Sequence, residues 1–302
     1  MNRICEQCPR RCGVDRTESR GFCGVPWDFC VARADLHAWE EPPISGTRGS
    51  GTIFFSGCNL RCVFCQNREI SREGLGCILR ADELRAHMLA LRDRGAHNIN
   101  LVTPTPYAEA LIPLLREVKP LLGIPIVYNC GGYECVETLR RLEGLVDIYL
   151  PDFKYCSAEL SARYSGAEDY YPTALAALRE MLRQVGAPQI GADGILRRGT
   201  IVRHLVLPSH RADSIALLNA LASEFGTSAF HLSLMSQYTP QFAQDSPYRA
   251  LHRRVTSFEY DSVLAVAQNL GFVGYFQSRD SATAAFTPNF SAGLADLKRR
   301  GE

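Results

Sequence analysis

Three cysteines stand close together in the run Gly57-Cys58-Asn59-Leu60-Arg61-Cys62-Val63-Phe64-Cys65-Gln66-Asn67. The spacing, Cys-x3-Cys-x2-Cys, lets one loop wrap a small iron–sulfur cube, because consecutive sulfurs must reach different irons of one compact body. A four-iron cluster ordinarily takes four cysteines. A loop that offers three leaves one iron without a protein ligand. An open coordination position marks a metal as a place for chemistry rather than for scaffolding. The competing expectation is a zinc loop closed by a distant fourth ligand. Cys130 is the candidate for that ligand, since it too follows a strand-like run.

A second cluster stands near the start of the chain. Cys5, Cys8, Cys12 and Cys23 fall close enough together to predict another metal site, either zinc or a second iron–sulfur cluster. A short head has little core of its own, so a metal would supply its folding energy. The other cysteines, among them Cys77, Cys130, Cys135 and Cys156, are dispersed and fit small buried hydrophobes. The opening MNRICEQCPRRCG lacks the apolar centre of a signal peptide, and no apolar stretch approaches a membrane span. A cytoplasmic location follows as the expectation. Thiols are reduced there, so metal ligation explains 12 cysteines better than disulfides do. With a formal net charge of +1, 46% hydrophobic and 22% charged residues, neither nucleic acid nor a membrane is called for as partner.

The elements that must position these groups alternate. Strand-like runs cover Thr52–Phe55, Asn98–Val102, Ile124–Tyr128, Val146–Leu150, Thr200–Leu207 and Phe230–Met235, with Val273–Phe276 as one more candidate. Helical spacing marks Asp82–Arg94, Tyr107–Val118, Glu134–Leu142, Thr173–Val185, Ser214–Phe225 and Asp261–Leu270. This rhythm predicts an α/β fold of parallel strands with crossover helices. Six strands are too few for an ordinary eight-stranded barrel, so a partial barrel is expected, with a doubly wound sheet as the alternative. The Pro- and Gly-rich run 42–51 separates a cysteine-rich head, 1–45, from a barrel, 46–280, and a tail covers 281–302.

In either architecture function gathers at the carboxyl ends of the strands. There the sequence places Cys58, then Thr103-Pro104-Thr105, Asn129, Asp152 and Lys154, Pro208-Ser209-His210, and Ser236-Gln237-Tyr238. Arg203 and His204 point to opposite faces of one strand, so only one of them reaches the lumen. On the sixth strand Phe230, Leu232 and Leu234 face the helices, and His231, Ser233 and Met235 face inward. His231 is thereby a candidate ligand contact. His37 and Glu41, ahead of the first core strand, are candidates for a lid over the rim.

The three-cysteine loop, with Phe64 as the aromatic residue before the last cysteine, directly after a first strand, resembles the radical S-adenosylmethionine (SAM) superfamily. Longer runs resemble an uncharacterised group within it that is related to pyruvate formate-lyase activating enzyme: His37-Ala38-Trp39-Glu40-Glu41-Pro42-Pro43-Ile44-Ser45-Gly46, Gly49 to Cys58, Gln66-Asn67, and Gln237-Tyr238-x-Pro240. The resemblance implies a partial (β/α)6 barrel. It implies a 4Fe–4S cluster on Cys58, Cys62 and Cys65 and SAM chelating the open iron. Reductive cleavage would then give a 5′-deoxyadenosyl radical that abstracts hydrogen. Phe64 would pack near the adenine, Asn67 and Gln237 belong to the shared pattern, and Asn129 would meet the ribose. Asp152-Phe153-Lys154 matches an acid–lysine pair that lies near SAM in activating enzymes. The usual glycine-rich motif after the second strand is replaced by Val102-Thr103-Pro104-Thr105-Pro106, which makes Thr103 and Thr105 the candidates for holding SAM's amino group. The implied partners are an electron donor such as flavodoxin or ferredoxin and a substrate that is a glycyl residue of a partner enzyme, another peptide or a small molecule. A non-enzymatic iron–sulfur or zinc protein is the remaining alternative.

Overall fold

Seven short runs, six of them buried along most of their length, pair side by side as parallel strands in the computed structural model, which describes residues 4–277 together with 288, 290, 293, 294 and 297. In chain order the strands are β1 Phe29–His37, β2 Ser50–Phe55, β3 Cys77–Leu79, β4 Ile99–Val102, β5 Ile126–Cys130, β6 Ile148–Pro151, β7 Gln189–Ile190, β8 Leu196–Leu205, β9 His231–Met235 and β10 Gly274–Phe276. The parallel strands neighbour each other as β2-β4-β5-β6-β8-β9-β10. Each new strand therefore joins the same edge. A doubly wound sheet would reverse direction partway, so the order selects the partial (β/α)6 barrel. The antiparallel β1 lies against β2 and carries β3 outside it. The sheet thus begins at Phe29, inside the span expected to be head.

The helices are α1 Pro42–Ser45, α2 Arg68–Ser71, α3 Ala81–Asp93, α4 Ala108–Leu122, α5 Val136–Arg141, α6 Ala158–Ser165, α7 Tyr170–Val185, α8 Arg211–Phe225 and α9 Ser257–Leu270. Their apolar stripes pack on the outside of the sheet. Leu84, Met88 and Leu91 of α3 and Leu111, Leu115 and Val118 of α4 share one core with Ile53, Phe55, Ile99 and Leu101. Leu217, Leu218 and Leu221 of α8 and Val263 of α9 share another with Val202, Leu232 and Leu234. Burying each such side chain contributes about 1.5–3 kcal/mol. Helix ends follow local chemistry. Thr256 and Glu259 form a reciprocal capping box on α9, and Gly271 ends it in the left-handed conformation. Among the described residues no helix is long and apolar enough to cross a membrane.

One segment closes the barrel from below. Ile44 of α1 is fully buried against Val127, Ile148, Leu150, Leu196 and Ile201, the amino-terminal layer of the lumen. Asn98 donates to the Ile44 carbonyl at 2.7 Å and fastens it there. The expected tail, 281–302, lies mostly outside the described residues. Of those described, Phe290 is buried with its ring 5.4 Å from Phe54, and Leu297 joins the α3/α4 core.

Candidate active site

The loop after β2 opens on Gly57, whose φ of 80° belongs to the left-handed region. A Cβ there would stand 2.8 Å from the Cys23 carbonyl oxygen and 2.6 Å from Val25, so only glycine fits. Main-chain bonds then strap the loop to α6, from Arg61 N to the Ser165 carbonyl at 3.1 Å and from Val63 N to the Tyr164 carbonyl at 2.8 Å. The Asn59 amide donates to the Tyr133 carbonyl at 2.6 Å, and Arg72 donates to the Cys62 carbonyl at 2.6 Å.

Donors surround the three sulfurs. Leu60 N–H points at Cys58 Sγ at 3.4 Å, Ser165 Oγ lies 3.0 Å from Cys62 Sγ, and Ser71 Oγ lies 3.3 Å from Cys65 Sγ. Burial pushes the Cys58 and Cys65 thiols up, and the Cys62 charge pushes both further, while Lys154 acts the other way. Three desolvated sulfurs that repel one another as thiolates form a site that calls for positive charge. This donor set fits a 4Fe–4S cluster. The fourth zinc ligand expected at Cys130 has a different setting: that thiol is buried, and burial pushes it up, with the charge of Glu134 adding to that.

Beside the loop a cavity of about 210 Å³ is lined by Cys62, Phe64, Cys65, Asn67, Asp152, Lys154, Arg203 and Gln237, among others. At its centre is a buried charge network. Lys154 Nζ bonds Asp152 Oδ2, and Arg203 Nε donates to Asp152 Oδ1 at 2.9 Å. Arg203 also donates to Asn129 Oδ1 at 2.6 Å and stands 3.6 Å from Glu40 Oε2. Burial pushes the Asp152 carboxyl up, but Arg203 and Lys154 outweigh it and hold the group below its usual range. Burial likewise opposes the Lys154 charge, yet Asp152 and Cys62 raise its pKa on balance. Gly132 makes the packing possible: at φ 78° its missing Cβ would fall 2.1 Å from the Asp152 carbonyl oxygen. Tyr170 completes the turn, its hydroxyl meeting Lys154 N at 3.0 Å and the Gly131 carbonyl at 2.9 Å.

A second compartment of about 190 Å³ shares Asn67, Arg203, Met235 and Gln237 with the first and adds His37, Glu40, Glu41 and Asn129. Phe64, Asn67, Asn129, Asp152, Lys154, Arg203 and Gln237 therefore converge with the three cysteines. His204 turns outward, with Nδ1 2.7 Å from the Phe153 carbonyl and Nε2 2.8 Å from Ser214 Oγ on α8, so Arg203 is the one that faces the lumen.

Three candidates do not converge. Thr105 is buried and donates to Glu134 Oε1 at 2.7 Å, which occupies its hydroxyl away from the cavity. Thr103 has a left-handed φ of 58°, bonds Asn129 through its main chain at 2.8 Å and does not line either compartment. His231 begins β9 at the barrel's amino-terminal end, its ring 5.9 Å from Tyr275, and also lines neither compartment. Glu40 and Tyr170 are the contributors to which the sequence assigns no role, and Glu41 lies in the lumen rather than over the rim.

The head rests on this rim. Cys5 and Cys8 are buried, and the charges of Cys23 and Cys8's neighbour Cys5 add to the burial that pushes Cys8 up to about 12. Cys12 Sγ accepts from Phe22 N at 3.3 Å. Gln7 donates to the Pro106 carbonyl at 2.6 Å, Thr138 donates to the Gln7 carbonyl at 2.8 Å, and buried Arg16 bonds the carbonyls of Val25, Pro26 and Pro106. Arg10 lies 3.9 Å over the Phe22 ring and donates to the Asn59 carbonyl at 2.9 Å, linking head to cysteine loop.

Residues 52–195 match the family model of the radical SAM superfamily. An uncharacterized protein of Methanocaldococcus jannaschii is 30% identical over 272 residues, covering 87% of this chain and 74% of its own length. A radical SAM methyltransferase from Sphaerobacter thermophilus is 16% identical, with a TM-score of 0.51 over 77% of this chain and 69% of that one, a likeness of fold. Streptococcus suis SuiB, solved with its precursor peptide SuiA, is 13% identical with a TM-score of 0.49 over 73% of this chain, and the present chain spans about half of SuiB's length, 46%. With a cysteine loop at the carboxyl rim of a partial barrel, and a matched model that spans it, the chain belongs to the radical SAM superfamily.

Proposed function

We propose that Cys58, Cys62 and Cys65 hold the 4Fe–4S cluster and that SAM occupies the upper compartment beside it. Membership of the superfamily implies such a cluster and radical cleavage of SAM. When bound, the cluster and SAM supply the electron and the hydrogen-abstracting power that no side chain has. The observation that carries the reading is the convergence of Cys62 and Cys65, from the loop that also holds Cys58, with Lys154, Asp152 and Arg203 on one cavity.

The chain's own residues position and shield. Lys154 is held by Asp152 and offers its ammonium to a carboxylate. Phe64, Leu205, Leu207 and Met235 give apolar walls for an adenine and keep water out. Asn67, Asn129 and Gln237 provide amides for hydroxyl groups. The reductant is a flavodoxin or a ferredoxin. The head carries zinc or a second cluster on Cys5, Cys8, Cys12 and Cys23. Two substrates suit hydrogen abstraction here. One is a glycyl residue of a partner enzyme, as the activating-enzyme pattern implies. The other is a small molecule or peptide, and the acid-lined lower compartment favours it.

Anaerobic reconstitution with iron and sulfide, then addition of dithionite and SAM, should yield 5′-deoxyadenosine. A protein that carries the cluster but forms no product overturns the proposal. With a glycyl-radical partner present, a protein-centred doublet in electron paramagnetic resonance would select the first substrate, and its absence the second.

A further inference from the structure

Below Arg203 the cavity ends on a pair of acids that the proposed SAM site does not use. The run Trp39-Glu40-Glu41 leads into α1, and because Ile44 plugs the floor of the barrel, both carboxylates are carried up into the lumen. Glu41 is only 9% exposed. Ser233 lines the same compartment, and among the described residues Oε2 is buried without any hydrogen-bond partner. A buried, unpartnered carboxylate oxygen is costly, and a ligand with an N–H donor would relieve it.

The charges in the cavity make the ligand's nature specific. Among the described residues, Glu40, Glu41 and Asp152 face Arg203 and Lys154, three carboxylates against two cations, and burial shifts the His37 imidazole on the same wall towards its neutral form. Arg203 spends its donors on Asp152 and Asn129 and pairs with Glu40, and Lys154 is paired with Asp152. Glu41 is the acid left over. Burial pushes its carboxyl up to about 7, with the Glu40 charge adding to that against the pull of Arg203, as expected of an acid short of a counter-ion. The rings of Trp39, Phe54 and Tyr275 line the same compartment and suit a cation with an organic body.

We propose that the lower compartment is the substrate site and that it selects a ligand bearing an ammonium or amidinium group, with the Glu41 carboxylate as acceptor and counter-ion. The substrate role rests on the reading of the upper compartment as the SAM site. The binding claim does not.

The test uses the full chain with its reconstituted cluster, titrated anaerobically with n-propylammonium chloride and followed by ligand-observed NMR. Propionate and 1-propanol serve as isosteric probes. Saturable binding of propylammonium alone is expected, weakened about tenfold or more by Glu41→Gln, with SAM affinity and cluster content unchanged. Ser233→Ala, which removes a polar group from the same wall, should weaken it in the same sense and serves if Glu41→Gln does not fold. Equal binding of propionate or propanol overturns the proposal. So does propylammonium affinity that neither variant changes, or a loss of SAM affinity in Glu41→Gln. Formation of 5′-deoxyadenosine is measured in parallel. Its failure alongside intact propylammonium binding would refute the catalytic reading and leave the amine site standing.

Discussion

The two cysteine-rich regions touch, yet they are built for opposite ends. In the loop 58–65 the sulfurs lie beside an open cavity, with a lysine and two hydroxyls directed at the charge they would carry. In the head, Cys5 and Cys8 are buried, no compartment of the cavity reaches them, and the surrounding polar groups are spent on fastening 4–28 to the rim through Gln7, Arg10 and Arg16. The difference teaches that spacing alone does not tell two cysteine clusters apart. Access to a cavity and the charged groups that line it do.

That contrast can be broken most forcefully at the sulfurs themselves. Cys58→Ala, Cys62→Ala or Cys65→Ala should abolish both cluster and 5′-deoxyadenosine formation, whereas Cys8→Ala should retain 5′-deoxyadenosine formed per cluster, as read by iron content and product assay. Equal loss from both regions would erase the distinction. Next in size, Arg16→Ala leaves the Pro106, Pro26 and Val25 carbonyls without their donor and should cost about 3 kcal/mol in denaturant unfolding, with SAM affinity preserved. Lys154→Met should raise the Kd for SAM about tenfold while the cluster stays in place, since one charge-assisted bond is lost and no sulfur is.

The smallest effect is on pH dependence. The folded Cys8 thiol titrates above its unfolded value of about 8.5, so its neutral form is favoured by folding. That contribution is complete below about pH 8.5 and is lost as pH rises towards about 12. Metal-free protein should therefore lose stability across that window in thermal melts. Protein with a metal-loaded head should not, because its thiolates are already paired with a cation.

Much of this was legible because it is local. The three cysteines, the acid–lysine pair after β6 and the alternation that sends Arg203 inward all lie within a few residues of one another or on one strand. Sequence patterning failed where a partner arrives from elsewhere. Thr105 looks free until Glu134, on the next crossover, takes its hydroxyl. His231 shows the right face of its strand, but alternation says nothing of height along the barrel axis, and it lies at the wrong end. Glu41 reads as part of a lid over the rim, and Glu40 carries no role of its own. Only the insertion of Ile44 beneath the strands turns them into lining. Helix α6, whose two buried serines and one tyrosine give little apolar stripe, left no periodic trace.

The plug at residues 42–46 has a consequence for how such a catalyst diversifies. It precedes the matched stretch that begins at residue 52, and it touches neither the thiols nor Lys154. A change of a few side chains there would deepen, shorten or recharge the chamber while the radical-generating half stays as it was. On the proposed reading, the floor of the substrate chamber and the cysteine loop would lie on separate pieces of chain, joined through the shared wall of Asn67, Arg203 and Gln237.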